Sequence, residues 1–192
     1  MTTRIGLAFA TLLLAGQAFG ANILLNPGFE SGSLPPWAND NDFCGGCVWD
    51  VTSADSQEGT NSAEVAGNRL IFQSFAPISV ALISEVSFWA RHPNNGSGAA
   101  MAILFRYDDS SENEEMVSTT GSGWQFFDVT AMLEAGKNLV GFGVYGNSGA
   151  MARFDNAVVD DQQGGGQVPE PATYALLGAG LAVLAAGRRS RG

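Results

Sequence analysis

Residues 83–91 read Ile83-Ser84-Glu85-Val86-Ser87-Phe88-Trp89-Ala90-Arg91. Val86, Phe88 and Ala90 alternate with Ser87, Trp89 and Arg91. Period two sends successive side chains to opposite faces of an extended chain, so the stretch predicts a strand. One face meets a core, and the other presents a ring, a hydroxyl and a guanidinium.

The same alternation recurs on both sides. It predicts strands at 23–25, 48–51, 62–66, 70–75, 100–107, 116–119, 125–129, 139–145 and 153–159. Turn signals separate them: Asn94-Asn95-Gly96, Thr120-Gly121-Ser122-Gly123 and Gly146-Asn147-Ser148-Gly149. Asp108-Asp109-Ser110-Ser111 reads as a hairpin turn. Only 130–135 reads as a helical turn, with Thr130 as N-cap and Gly136 as the stop. Short strands at this spacing, without βαβ units, predict an all-β antiparallel jelly-roll sandwich.

The ends have a different composition. Arg4, the apolar run 5–15, and Ala18 and Gly20 ahead of a cut after Gly20 make 1–20 a secretory signal peptide. The sandwich then occupies 21–161, and Gln162 to Gln167 is a Gly/Gln linker. Residues 172–187 carry no charge; as a helix of about 24 Å they nearly match a hydrocarbon core, so they read as a membrane segment. Arg188, Arg189 and Arg191 would hold the C-terminus on the cytoplasmic side. Preceded by Val168-Pro169-Glu170-Pro171, this order of motif, span and basic end resembles the PEP-CTERM sorting signal of Gram-negative bacteria. The resemblance implies exosortase-type machinery as a partner, a stop in the inner membrane during sorting, and then the cell surface or extracellular matrix.

Between the signal peptide and the span, five basic residues face 19 acids, a net charge of −14. That excludes nucleic acid and anionic membrane surfaces as partners, since both need a basic footprint. Cys44 and Cys47 form CGGC, and in an exported chain this spacing suits a small local disulfide. A redox motif would have to open a helix in a βαβ setting, whereas Val48-Trp49-Asp50-Val51 reads as strand. Structural zinc would need a second ligand pair, and His92 is the only histidine.

Asn22 to Gly32, reading NILLNPGFESG, resembles the opening of carbohydrate-binding modules with the galactose-binding-like jelly roll. Glu58 to Val65, Ile71 to Phe75, Val86 to Arg91 and Phe154 to Val159 match later stretches of that fold, in order. The resemblance implies a possible structural calcium ion tying the opening to the closing strand. Its ligands would be Gly28 through its carbonyl, Glu30, Glu58 or nearby carbonyls, and Asp155. Asn156 stands where many relatives have a second Asp. The resemblance also implies extracellular polysaccharide as a partner. Sugar recognition needs aromatic faces with polar neighbours, and Trp89 with Arg91, then Trp49 and Trp37, are the candidates.

Catalytic signals are weak. His92 has no nucleophile motif beside it, and the pairs Asp108/Asp109, Glu114/Glu115 and Asp160/Asp161 read as solvated charge. Asn95-Gly96-Ser97 matches a glycosylation sequon but reads as a turn. The expectation is an exported, non-enzymatic carbohydrate-binding module. A structural matrix protein without a glycan site is the alternative, and a glycan-active hydrolase stands behind both.

Overall fold

The computed structural model describes residues 21–42, 45–93, 100–146 and 151–162. The expected signal peptide, Cys44, the expected turn at 94–96, most of the expected turn at 146–149, nearly all of the expected linker and the whole sorting tail with its expected membrane segment lie outside them.

Eleven strands are described: β1 (Ala21–Asn22), β2 (Ala38–Asp42), β3 (Asp50–Thr52), β4 (Ser62–Ala66), β5 (Arg69–Ser79), β6 (Ile83–Arg91), β7 (Ala100–Tyr107), β8 (Glu112–Ser118), β9 (Gln125–Asp128), β10 (Asn138–Gly146) and β11 (Met151–Asp161). They form two antiparallel sheets, in the orders β3-β4-β11-β6-β9 and β2-β5-β10-β7-β8, with β1 also pairing the end of β11. This is the jelly-roll sandwich that period two predicts. Strands adjacent in space are mostly distant in sequence.

Three differences from expectation have local causes. β2 reads ANDND and has no apolar alternation, so only pairing to β5 makes it a strand. β8 begins earlier than its apolar residues suggest; it is an edge strand, and its acidic outer positions stay in water. The expected helical turn is a 3-10 turn at Thr130–Met132, and Thr130 is not its cap. Instead Asp128 Oδ1 accepts from Thr130 N–H at 3.0 Å and from its hydroxyl at 2.7 Å.

The inward faces bury one large cluster that includes Phe29, Trp37, Trp49, Phe88, Phe105, Phe142 and Phe154. Phe154 sits at its centre. A smaller cluster of Leu70, Phe72, Ala102, Leu104 and Tyr145 lies on the other face of the five-stranded sheet. There Phe72 lies across β10: a Cβ on Gly141 would come within 2.1 Å of its ring, which is why this stretch of β10 needs glycine. Arg106 covers Phe72 at 4.4 Å and binds Glu112 at 2.8 Å.

Candidate functional site

The outward residues of β6 stand on the far face of the six-stranded sheet. Trp89 pairs across strands with Phe126 of β9, their rings 5.5 Å apart and tilted by 56°. Phe126 is 50% exposed, an unusual setting for a phenylalanine. Beside these rings β11 changes register against β6 between Asp155 and Val158. Asn156 takes a left-handed φ of 45°, and Ala157 N–H turns away to the Pro27 carbonyl at 3.1 Å. Bulges of this kind widen a sheet locally and occur beside binding sites. Here the widening makes a cavity of about 480 Å³, open to solvent, within the range of roughly 300–1,000 Å³ usual for small-ligand sites. Trp89, Phe126 and Pro27 supply apolar surface; Ser87, Glu85, Asn22, Gln57, Glu58 and Asn156 supply polar groups.

The wall that carries Gln57 and Glu58 is a loop held by acids from distant segments. Asp155, fully buried, accepts the N–H of Gln57 and that of Asn156, each at 2.8 Å. Asn156 Nδ2 in turn donates to Gln57 Oε1 at 2.6 Å. Glu30 accepts Thr60 N–H at 2.9 Å and Asn61 N–H at 2.8 Å. Its place follows from the opening turn, where Asn26 and Phe29 adopt left-handed φ values of 50° and 57°. That turn drives Phe29 into the core and swings Glu30 under the loop. Burial pushes the Asp155 pKa up to about 6; the N–H groups of Gln57, Asn156 and Glu58 oppose the rise, and the charge of Glu30 adds to it.

Gly28 and Gly59 allow this close approach. A Cβ on Gly28 would lie 2.7 Å from Asn156 Oδ1 and 3.6 Å from Asp155 Oδ1; one on Gly59, at φ +71°, would lie 2.6 Å from the Glu30 carboxyl. Gly59→Ala is therefore expected to lower the melting temperature by several degrees, from left-handed strain plus a displaced Glu30. An unchanged melt would show that the latch formed by Glu30 on the Thr60 and Asn61 N–H groups is not under constraint.

Does this corner suit calcium? No described basic side chain forms an ion pair with Glu30 or Asp155, so a buried acid and a nearby second acid share no protein counter-charge. Two carboxylates are hard-oxygen donors of the kind that calcium takes; here their oxygens accept the backbone N–H groups of Gln57, Asn156, Thr60 and Asn61. Glu58 meets Asp155 through its backbone N–H, and the residue lines the cavity. Among the described residues no three His, Cys, Asp or Glu side chains cluster as metal ligands.

The other sequence candidates separate. Trp37 and Trp49 are 2% and 1% exposed, so the expectation that they form a sugar face is corrected. Their indole N–H groups donate inside the fold, to the Asn26 carbonyl at 3.1 Å and the Arg69 carbonyl at 2.7 Å. Arg91 does not line the cavity. It binds the Asp55 carboxylate together with Arg153, and its guanidinium lies 5.9 Å over the Trp124 ring. It anchors the start of the loop wall. Cys47 is disulfide-bonded. His92 is fully buried, with Nδ1 3.1 Å from Thr119 Oγ1 and Nε2 without a partner; burial lowers its pKa.

Phe126, Glu85, Gln57 and Asn156 were not legible as site residues. Phe126 had a signal: it is the large apolar residue on the outward register of its strand. The others depend on the bulge and the loop.

The PEP-CTERM protein-sorting motif matches residues 167–191. No curated protein matches the chain. Among solved structures, the module TmCBM61 in complex with β-1,4-galactotriose is similar at 21% identity and TM-score 0.54, over 73% of this chain and 99% of that one. The CBM22-1 xylan-binding domain of Paenibacillus barcinonensis Xyn10C matches at 15% identity and TM-score 0.52, over 74% and 96%. The tandem CBM22-1–CBM22-2 of the same protein matches at 14% and 0.56, over 82% of this chain and 50% of that one. The sorting motif implies export, a membrane-anchored stage, and exosortase-type processing. This chain is thus an exported protein in which a β-sandwich with the fold of carbohydrate-binding modules precedes a PEP-CTERM sorting motif.

Proposed function

We propose that the domain is a non-catalytic binding module for extracellular polysaccharide, displayed at the cell surface or in the surrounding matrix. The observation that carries this reading is the cavity whose apolar surface is the partly buried Trp89 beside the exposed Phe126, ringed by amide, hydroxyl and carboxylate groups. Sugar rings stack their CH faces on such aromatics, and the polar rim meets their hydroxyls. The likeness to the galactotriose complex and to the xylan-binding domain supports the same reading. Calcium, held by Glu30, Asp155 and the Gly28 carbonyl, would stiffen the corner from which Gln57 and Asn156 reach the cavity.

The test is co-sedimentation of the full chain, purified in mild detergent, with the producing organism's own exopolysaccharide. Trp89→Ala is expected to weaken binding by at least about tenfold, the scale of an aromatic anchor, and Phe126→Ala by less. A folded protein that stays in the supernatant would overturn the reading and leave matrix assembly through protein contacts. Binding that survives both substitutions would place the glycan elsewhere on the domain.

A further inference from the structure

The charge of the cavity narrows the class of glycan, on the premise that the cavity binds glycan at all. Its two ionisable lining groups are Glu58 and Glu85. The Ser87 hydroxyl donates to Glu85 Oε1 at 2.5 Å, which fixes that carboxylate beside Trp89 and leaves Oε2 open. Neither acid forms an ion pair with a described basic side chain. Behind Glu85, its cross-strand neighbour Asp160 has a buried Oδ1 with no partner, which adds negative charge at the same corner.

All five basic residues of the domain are committed elsewhere. Arg91 and Arg153 hold Asp55, Arg106 holds Glu112, Lys137 holds Glu134, and Arg69 donates to the Cys47 carbonyl. A uronate or sulfate sugar would therefore meet two like charges and no cation. A protonated amine would meet two carboxylates and the π face of an indole, each of them attractive to a cation.

We propose that the cavity selects polysaccharide carrying free, protonated amino sugars and discriminates against acidic sugars. The amine would sit between Glu85 and Glu58 while its ring stacks on Trp89.

The experiment is calorimetric titration of the full chain at pH 6 with four oligosaccharides of equal length: glucosamine, N-acetylglucosamine, β-1,4-galactose and galacturonate. The expected order is glucosamine tightest, at least about tenfold ahead of its N-acetylated form, the two neutral oligomers next, and galacturonate without binding. Half-molar salt should shrink the advantage of the amine. Glu85→Gln, which keeps the shape and the Ser87 bond, should abolish it, and Glu58→Gln should reduce it. Glu114→Gln, on the exposed edge of the other sheet, should leave it unchanged. Equal affinity for the glucosamine and N-acetylglucosamine oligomers overturns the proposal and leaves the carbohydrate-binding reading standing. An amine advantage that Glu85→Gln does not touch also overturns it, since the attraction would then belong to the acidic surface as a whole. If none of the four binds, the proposal falls, and the native polysaccharide of the sedimentation test decides the broader reading.

Discussion

Phe154→Ala is expected to destabilise the domain by about 3–5 kcal/mol, the usual cost of emptying a buried aromatic site. That is a large share of the roughly 5–15 kcal/mol that holds a domain folded. Phe154 is completely buried, and its ring lies 5.8 Å from Phe29, 5.5 Å from Trp37, 6.4 Å from Trp49, 5.6 Å from Phe88 and 6.5 Å from Phe142. These rings come from both sheets and from the opening turn, so one side chain ties all three together. Its neighbours across the strands are Ala63 and Ala90, too small to fill the space it would leave. Urea unfolding followed by Trp fluorescence checks this, because Trp37 and Trp49 both pack on the lost ring. The melting temperature should fall by roughly 10–20 °C, and Phe154→Leu should lose much less. A loss below about 1 kcal/mol would mean that the opening turn collapses into the void, and that Phe154 is not the keystone.

In chelator, the domain should lose stability as pH rises from about 4 to about 6, through Asp155. Its carboxyl, raised to about 6 in the fold, keeps a proton that the unfolded chain has already released. The native state then binds more protons than the unfolded one. The contribution is fully present below the unfolded value, is lost as pH passes the folded value, and amounts to about 3 kcal/mol. His92 works in the opposite sense, because its buried neutral ring resists protonation. The clean readout is therefore the stability of the wild type minus that of Asp155→Asn, in which His92 cancels. That difference should shrink by about 3 kcal/mol between pH 4 and pH 7. Calcium at pH 7.5 should stabilise the wild type, by about 2.7 kcal/mol at a hundredfold excess over its Kd, and should leave Asp155→Asn unmoved. A melt indifferent to calcium removes the metal from the latch. A pH-independent difference shows that water reaches Asp155 and keeps it ionised.

Trp37 and Trp49 show the limit of reading a site from composition. Both stand near Gly-, Pro- and Asp-rich stretches that resemble exposed loops, yet both are core. Trp37 is drawn in by the Asn26 carbonyl of the opening turn, and Trp49 by the Arg69 carbonyl at the head of β5. Acceptors so placed exist only after the chain has closed. Trp89 was legible because the alternation of its own strand turns it outward, away from Phe88 and Ala90. Its partner Phe126 was not, because the pairing of β6 with β9 is chosen by the whole sandwich.

What the sequence determined alone was whatever local chemistry can decide. Alternation set most of the strands, β6 among them, and the facing of their side chains, but not β2, which has none. The charged and apolar ends carry the sorting motif, and the excess of acids argues against nucleic acid as a partner. The tertiary structure alone decided the order of the strands, the bulge at Asn156 that opens the cavity, and the burial of Asp155 between Gln57 and Glu30. The physical reason is range. Facing depends on neighbours one and two residues away, whereas a cavity or a shifted pKa depends on which distant segments the burial of a common core has brought together.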